Sequence, residues 1–564
     1  MGHAALSAIL PLLRSPPFPK AHGSVSCANE CPAGNGEADE MLAVFARIRA
    51  ATVGGRFWAE PAALDQPVGT VLRPRRVRDL AAHLEALNAS DRRSAVWIAT
   101  DRHMARALAG LVAKEGGAWR GDVDPWSVLD KARCLAAHGD DEWVALARIA
   151  GVPVRILSPG RFGGGDSAML DCLAYRAVSG VVYRNPFTGE PAGLNETIDV
   201  LAGWRAMLDA NRPIAVACGM AWWKRSEIQR FLWHPQRRLR MVRSPTRALA
   251  VAQKAGGAVA IWPSRVSPAL IAGAQARSVP LVRVEDGFVR SAGLGVDLVP
   301  PSSVVVDASG IHFDPSGPSD LEHILSTTDF APALLARARA LRETIVAAGI
   351  SKYAAGDAAA KAIPARNAGH RRILVPAQVE DDMSMLAAGG GLSNLDLLRR
   401  ARALEPDAEI WFRPHPDVDA GHRKGAVPDS QVLEFADKIM RGGGMAPLLD
   451  AVDGVHVLTS LTGFEALLRG RDVTCHGTPF YAGWGLTRDL GAVPERRGRA
   501  LSLDALVAGV LILYPRYLDP VSGLPCPPEV LVGRMANATA VNRLGWVAPL
   551  RRWQGRLMTA LRRG

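Results

Sequence analysis

Two adjacent carboxylates, Glu285 and Asp286, follow the apolar run 279–282, and a glycine comes directly after them. The apolar run predicts a buried strand, and the glycine predicts a sharp turn. Because ligands of open α/β sheets bind at the carboxyl ends of strands, this pair is suited to act as a general base or as a nucleophile. The alternative is a surface turn in which these carboxylates pair with Arg283 or Arg290.

A basic group follows a later strand-like run. Arg413, His415 and Pro416 come directly after the run 409–412. At a strand end, the imidazole can donate a hydrogen bond to a phosphate oxygen of a bound nucleotide, and the proline fixes the backbone beside it. The neighbouring guanidinium favours such an anion site. A histidine that only caps a turn is the alternative.

Hydroxyls and a glycine follow the strand-like run 455–458, at the start of a predicted helix. Ser460, Thr462 and Gly463 offer hydroxyls, a closely approachable backbone and helix N-terminal amides, which together suit a phosphate. Glu465 lies in the first helical turn, where a carboxylate suits the helix dipole, and it could also accept from ribose hydroxyls. A plain helix N-cap is the alternative.

The segment 475–487 combines glycines, aromatic residues and one histidine after a predicted strand. A loop of this composition favours a ligand surface over a core. His476, Tyr481 and Trp484 are therefore candidate residues of a substrate cleft. An aromatic loop that staples two domains together is the alternative.

Composition sets limits on the partners and the compartment. The formal charge of +12 favours acidic partners, and no basic cluster interleaved with aromatic residues indicates a nucleic-acid module. The seven cysteines are scattered, which indicates reduced cytosolic thiols, and no feature of the sequence requires a metal or another cofactor. No apolar run is long enough to span a bilayer, so we expect a cytoplasmic protein.

Strand-like and helix-like runs alternate along most of the chain, which predicts an α/β fold with two Rossmann-like domains facing a cleft. At 564 residues the chain exceeds a single core. We expect a loosely ordered segment at 1–70, a degenerate α/β half-module at 71–205, a Rossmann-like domain at 206–350, a linker at 351–370, a second Rossmann-like domain at 371–530 and a basic tail at 531–564.

The predicted half-module is part of an internal repeat, because residues 120–200 repeat the sequence pattern of residues 440–530 in the same order. The earlier copy has lost polar residues: VALA at 144–147 stands where the later copy has GFEA at 463–466. A copy that keeps the frame and drops the polar groups is expected to be structural and not catalytic.

The C-terminal tail places Leu550, Trp553, Leu557 and Leu561 on one helical face, with arginines around them. Such a basic amphipathic helix fits peripheral attachment to an anionic membrane surface. A docked terminal helix with solvated arginines is the alternative.

Five sequence motifs occur in the same order as in one known family: EDGFVRS at 285–291, QVEDD at 378–382, RPHPD at 413–417, GFEAL at 463–467 and PFYAGWGLT at 479–487. Over about 205–530 the sequence resembles the KpsC-type capsule polysaccharide biosynthesis family. The resemblance implies a GT-B-like fold and a retaining glycosyltransferase that moves β-Kdo from CMP-Kdo to a lipid-linked saccharide acceptor. Such a protein would work at the inner face of the inner membrane.

By this resemblance, Asp286 is the catalytic carboxylate, either as a nucleophile or as a base. His415 would bind the CMP phosphate together with Ser460 and Thr462, and Glu465 would hold the ribose or the cytosine. The resemblance places four further residues in the cleft: Arg290, Gln378, Glu380 and Arg413. Because the chain keeps one complete module, we predict a single transferase site.

Two other functions stay open from the sequence. One is a non-catalytic scaffold for polysaccharide export or assembly that retains the fold. The other is a transferase for a different CMP-ulosonic acid, such as CMP-sialic acid.

Overall fold

The computed structural model describes residues 11–19, 21–30, 38–64, 68–290, 299–351, 369–421 and 423–537, with the backbone alone at 27–30. The chain forms two compact units. The first unit comprises Met1–Arg212, Leu232–Arg238 and Ser522–Leu524, and the second comprises Pro213–Phe231, Leu239–Val521 and Pro525–Gly564.

The first unit is built on a parallel β-sheet. Its strands are β1 (Ser26–Glu30), β2 (Val68–Arg73), β3 (Val96–Ile98), β4 (Ala118–Arg120), β5 (Ala132–Ala137), β6 (Val154–Ile156), β7 (Val181–Arg184) and β8 (Pro191–Ala192). The parallel sheet has the order β4-β3-β2-β5-β6, and β1-β7-β8 form a small antiparallel sheet. The helices are α1 (Ala38–Ala51), α2 (Leu80–Glu85), α3 (Ala89–Arg93), α4 (Arg102–Glu115), α5 (Trp126–Leu129), α6 (Glu142–Ala150), α7 (Ser167–Ser179) and α8 (Leu194–Asn211).

Short polar side chains fix where several of these helices begin. Asp101 accepts a hydrogen bond from the Met104 backbone N–H at 2.7 Å, and Asp166 accepts one from Met169 at 2.9 Å. These bonds satisfy amides that have no partner within the helix. Helix α6 ends at Gly151, whose φ of 81° is the left-handed conformation that glycine adopts readily.

The second unit contains two larger sheets. Its strands are β9 (Ile214–Cys218), β10 (Arg240–Val242), β11 (Ala258–Ile261), β12 (Leu281–Asp286), β13 (Ser303–Asp307), β14 (Arg372–Pro376), β15 (Glu409–Arg413), β16 (Lys438–Ile439), β17 (Gly454–Val457), β18 (Asp472–Cys475), β19 (Arg488–Asp489), β20 (Pro515–Leu518) and β21 (Pro525–Cys526). The helices are α9 (Arg225–Phe231), α10 (Pro245–Ala255), α11 (Pro268–Ala276), α12 (Asp320–Thr327), α13 (Pro332–Ala347), α14 (Met383–Ala388), α15 (Asn394–Leu404), α16 (Pro416–Asp419), α17 (Asp429–Val432), α18 (Met445–Ala451), α19 (Leu461–Leu468), α20 (Leu503–Val507) and α21 (Pro528–Ala536).

The first of these two sheets has the order β10-β9-β11-β12-β13-β20-β21. Strands β10, β9, β11 and β12 run parallel, whereas β13, β20 and β21 pair antiparallel to their neighbours. Strand β20 comes from a distant part of the chain. The sheet that begins near residue 214 is therefore completed by residues beyond 514.

The other sheet of the second unit is fully parallel, in the order β16-β15-β14-β17-β18-β19. Its central strand β14 is buried along its whole length, and Ile373, Leu374 and Val375 are completely inaccessible. Uninterrupted apolar strands are expected when helices cover both faces of a parallel sheet. The predicted α/β fold with two Rossmann-like sheets is confirmed.

The parallel sheet of the first unit repeats the fully parallel sheet of the second, because β4-β3-β2-β5-β6 has the same connectivity as β16-β15-β14-β17-β18. Equivalent backbone hydrogen bonds appear in both sheets. The Leu157 backbone N–H donates to the Ala137 carbonyl at 2.9 Å, and the His476 backbone N–H donates to the Val457 carbonyl at 2.8 Å. The repeat seen in sequence over 120–200 therefore extends back to Val68. The degenerate half-module proposed for 71–205 stays a prediction.

The structure moves the boundaries of some predicted elements. The strand predicted at 279–282 is β12, which continues through both carboxylates to Asp286. The predicted tail helix at 550–561 and most of the predicted linker lie outside the described residues, so these stay predictions. Within the described ranges, no helix is long and apolar enough to cross a membrane.

Candidate functional site

Asp286 lies at the carboxyl end of β12 between two cations. Lys224 Nζ donates to Asp286 Oδ1 at 2.9 Å, and Arg290 Nε donates to Asp286 Oδ2 at 2.9 Å. Arg290 is 1% exposed, and its Nη2 also donates to the Val299 carbonyl at 3.0 Å. The pairing of Asp286 with Arg290 that the sequence left open is present, but Arg290 is buried, Asp286 is partly buried, and the pair does not belong to a surface turn.

Lys224 reaches Asp286 because neighbouring parallel strands end at the same edge of the sheet. Strand β9 leads into the single turn Trp222–Lys224, and β11 ends just before Trp262. The Lys224 ammonium lies 3.5 Å from the ring centroid of Trp262 and 5.0 Å from that of Trp223. Burial lowers the pKa of Lys224, while the adjacent carboxylates act in the opposite direction. The ammonium is thus enclosed by indole rings and directed at the carboxylate.

Sequence reasoning missed Lys224. It lies 62 residues before Asp286, and a lysine after two tryptophans matches no motif. Its position shortly after the strand-like run 213–217 was the available signal, since a strand-end position also singled out Asp286.

The residues beside Asp286 fix its backbone. Glu285 Oε1 accepts a hydrogen bond from the Asp286 backbone N–H at 3.1 Å. A Cβ on Gly287 would lie 2.2 Å from Ser303 Oγ, and the Gly287 N–H donates to the Ser303 carbonyl at 3.0 Å. Glycine is required here because β13 approaches closely, and not because of the sharp turn that we expected.

The predicted phosphate site lies at the start of α19, at the carboxyl end of β17. Ser460 is the N-cap: its Oγ accepts from the Thr462 backbone N–H at 3.2 Å and donates to Thr462 Oγ1 at 3.0 Å. Ser460 is half-buried, whereas Thr462, Gly463 and Glu465 are buried. The N-cap alternative describes the observed contacts, and the phosphate-binding role of this turn stays a prediction.

Gly463 is tied to the aromatic loop of the last motif. Tyr481 Oη donates a hydrogen bond to the Ser460 carbonyl at 2.5 Å, and a Cβ on Gly463 would lie 2.2 Å from that same Oη. Tyr481 is completely buried, and burial raises the pKa of its hydroxyl well above the usual value. Glycine at 463 therefore lets this tyrosine brace the start of α19.

Tyr481 and Trp484 lie in the core. Both are completely buried, and Trp484 Nε1 donates to the Phe480 carbonyl at 2.9 Å. Phe480 packs against Phe288 and Phe464, with ring centroids 4.7 and 5.6 Å apart. The prediction that these side chains line a substrate cleft is corrected: large apolar rings gain more from the core, and the loop acts as an aromatic staple.

His476 also lies in the core. It is 3% exposed, and its Nε2 lies 3.0 Å from Nδ1 of His456, which is 1% exposed. Burial lowers the pKa of each imidazole to about 4. Both rings are neutral near pH 7, so His476 neither lines a cleft nor offers a positive charge to a substrate.

Gln378 joins the ends of two strands. Its Nε2 donates to Thr459 Oγ1 at 2.8 Å, and its Oε1 accepts from the Thr459 backbone N–H at 2.9 Å. Asn394 Oδ1 accepts from the Gln378 N–H at 2.8 Å, and Glu380 Oε1 accepts from the Asn394 N–H at 2.8 Å. Gln378 and Glu380 thus hold β14, β17 and the start of α15 in register beside Ser460.

Arg413 and His415 hold the loops beyond β15. The Arg413 guanidinium donates to the carbonyls of Met440, Gly442 and Gly443, and burial lowers its pKa. His415 Nδ1 accepts from the Asp417 backbone N–H at 3.2 Å, and Pro416 is the first residue of α16. The cap that the sequence offered as an alternative for His415 is present.

Aromatic contacts connect the two motif regions within the second unit. Phe288, two residues after Asp286, lies 6.3 Å by ring centroids from Phe464, which directly follows Gly463. The Asp286 end of the first sheet and the Ser460 end of the second are therefore joined by packed side chains. Across the described residues, no group of three or more His, Cys, Asp or Glu side chains could hold a metal ion.

Sequence comparison places these motifs in a known family. Residues 257–517 match the family of capsule polysaccharide biosynthesis proteins. The lipopolysaccharide-processing protein LpsZ of Rhizobium meliloti is 42% identical over 323 residues, which cover 56% of this chain and 72% of LpsZ. The chain belongs to the capsule polysaccharide biosynthesis family. The capsule polysaccharide modification protein LipA of Neisseria meningitidis serogroup A is another relative, 41% identical over 339 residues that cover 60% of this chain and 47% of LipA. The chain thus matches about half the length of LipA.

This capsule family protein is also similar to two solved modules of KpsC from Thermosulfurimonas dismutans. The β-Kdo 2,7 transferase is 33% identical, covers 57% of this chain and 99% of its own, and has a TM-score of 0.48. The β-Kdo 2,4 transferase is 31% identical. The match covers 57% of this chain and 98% of the transferase, with a TM-score of 0.49. The predicted resemblance to the KpsC-type capsule polysaccharide biosynthesis family is confirmed by the family match and by the sequence relatives.

Proposed function

We propose that this KpsC-type protein is a retaining glycosyltransferase that moves β-Kdo from CMP-Kdo to a lipid-linked saccharide acceptor. The main support is Asp286, a carboxylate clamped by two cations at the carboxyl end of a parallel strand and joined through Phe288 to the turn that begins at Ser460. Similarity to two Kdo transferase modules supports the choice of sugar.

The donor is expected to lie between the Asp286 and Ser460 ends of the two sheets. Its CMP phosphate would accept hydrogen bonds from the Ser460 and Thr462 hydroxyls and from the amides at the start of α19, with His415 beside it. Glu465 would hold the ribose or the cytosine. Gln378, Glu380 and Arg413 would contribute mainly by fixing the loops that shape this space, because their side chains are hydrogen-bonded to Thr459, Asn394 and Gly443.

Retention follows if Asp286 acts as a nucleophile. A carboxylate oxygen attacks C2 of Kdo, the bond from C2 to the phosphate oxygen breaks, and its electron pair leaves with CMP. An acceptor hydroxyl then attacks C2 and releases its proton to solvent, while the Asp286 carboxylate leaves with the electron pair of the ester bond. Two inversions at C2 give net retention. A base or electrostatic role for Asp286 is the alternative, and it would form no covalent intermediate.

Purified protein incubated with CMP-Kdo and a synthetic Kdo-primed lipid acceptor should release CMP and extend the acceptor. Asp286→Asn should abolish transfer, whereas Asp199→Asn, at a side chain 70% exposed in the first unit, should not. Intact-mass analysis without acceptor should detect Kdo on Asp286 if the carboxylate is the nucleophile. Full activity of Asp286→Asn would contradict the proposal.

The same assay separates the other functions. CMP binding without turnover of any donor would favour a non-catalytic scaffold. Turnover of CMP-sialic acid in preference to CMP-Kdo would keep the transferase and change the donor. Absence of both binding and turnover would refute the nucleotide-sugar proposal altogether.

A further inference from the structure

We propose that Lys224 is a positioning residue that adapts the Asp286 carboxylate to a donor carrying its own carboxylate next to the reacting carbon. This inference rests on the proposed function, since it concerns the same site. It adds the reason why an ulosonic acid, and not an uncharged sugar, suits this site.

Both oxygens of Asp286 are held by cations with different environments. Arg290 is nearly inaccessible and is also bonded to the Val299 carbonyl, so it is fixed by the protein on more than one side. Lys224 is 6% exposed, and its ammonium donates a hydrogen bond to Asp286. Two cations on one carboxylate fix the direction of its oxygens.

The packing around Lys224 holds its charge in place. Trp262 and Trp223 present their rings to the ammonium at 3.5 and 5.0 Å, and Trp223 also lies 5.8 Å from the Arg290 guanidinium carbon. Aromatic faces stabilise a cation without neutralising it, and the neighbouring Glu285 carboxylate attracts the ammonium in addition to Asp286. The ammonium therefore remains available to act on charges near Asp286.

The chemistry of an ulosonic acid explains why such a charge is needed. In Kdo the reacting carbon C2 bears a carboxylate, so an attacking Asp286 must bring one anion against another. Two carboxylates brought into contact repel each other strongly in a partly buried site. A cation beside the nucleophile offsets this repulsion in the transition state, where the two carboxylates come closest. An aldose donor has no such carboxylate and would not require the ammonium.

The experiment compares Lys224→Met and Lys224→Arg in the full chain, with CMP-Kdo and the Kdo-primed acceptor. Lys224→Met keeps most of the side-chain volume and removes the charge, so kcat should fall about 100-fold or more while KM for CMP-Kdo changes less than about 3-fold. Lys224→Arg keeps the charge and should retain at least about a tenth of the wild-type kcat. Lys254→Met, at an exposed lysine on α10, should leave kcat unchanged.

Urea unfolding of each variant separates a loss of function from a loss of folding. Folded Lys224→Met with a kcat within about 3-fold of the active wild type would overturn the inference. So would folded Lys224→Arg that is as inactive as Lys224→Met, because charge would then not be the reason. If Lys224→Met does not fold, a low kcat in folded Lys224→Arg overturns the inference and a retained kcat supports it. An inactive wild type refutes the proposed function itself, and the inference with it.

Discussion

Replacing Gly463 by alanine is expected to disturb the start of α19 and the loop that braces it. The new Cβ would lie 2.2 Å from Tyr481 Oη, 2.7 Å from its Cζ and 3.0 Å from its Cε2. A flexible side chain could move away, but Tyr481 is completely buried and packs against the rings of Phe480 and Phe464. Relief therefore requires Tyr481 or α19 to shift by roughly 1 Å in a close-packed region.

The magnitude follows from the contacts. Overpacking a well-filled core by one methyl costs about 1–3 kcal/mol. Loss of the hydrogen bond from Tyr481 to the Ser460 carbonyl adds about 1 kcal/mol, and the better helix propensity of alanine returns about 0.5–1 kcal/mol. We expect Gly463→Ala to lower the free energy of unfolding by about 1–3.5 kcal/mol and to weaken CMP binding, because Ser460 moves with the helix.

Urea unfolding followed by tryptophan fluorescence measures the first effect, and calorimetric titration with CMP measures the second. Gly533→Ala on α21 is the matched control, because a Cβ there meets nothing within 4 Å. That change should be neutral or stabilise by up to about 1 kcal/mol. If Gly463→Ala unfolds within about 0.5 kcal/mol of wild type and binds CMP normally, the bracing role of Tyr481 is refuted.

Two further perturbations test the packing of the second unit. Arg497→Met should lower the free energy of unfolding in urea by about 3 kcal/mol, because it removes a buried guanidinium that lies 2.6 Å from Glu322. Arg337→Met, which breaks an exposed ion pair, should lower it by less than about 1 kcal/mol. Equal losses in the two variants would contradict this dependence on burial. Burial lowers the pKa of His456 and His476 to about 4, so these histidines are protonated in the unfolded chain at a higher pH than in the folded protein. The free energy of unfolding should therefore fall as the pH drops from 6.5 towards 4, by about 2 kcal/mol per histidine at pH 5. Urea midpoints at pH 7 and pH 5 measure this drop, which should be smaller in the double His→Gln variant; an equal drop would assign it to other groups.

Local patterns in the sequence were sufficient for most of the fold. The strand-like runs 409–412 and 455–458 match β15 and β17 to within one residue at each end, because a buried apolar run is encoded by neighbouring residues. The position of Asp286 at a strand end and of Ser460 at a helix start were predictable for the same reason. The repeat between the two parallel sheets was visible only in part from the sequence. The earlier copy has the same strand connectivity as the later one, but its residue types differ more.

Contacts between distant parts of the chain were decided by the tertiary structure. Lys224 meets Asp286 because β11 lies between β9 and β12 and all three strands end at one edge, an order that no local pattern encodes. Composition could not separate a ligand loop from a core staple, so burial reversed the interpretation of Tyr481 and Trp484. The sequence by itself determined the secondary structure, the family motifs and the candidate carboxylate, which depend on short-range propensity and periodicity. Only the tertiary structure decided which cations hold that carboxylate and which aromatic side chains are buried, because those outcomes depend on strand order and packing across more than sixty residues of sequence.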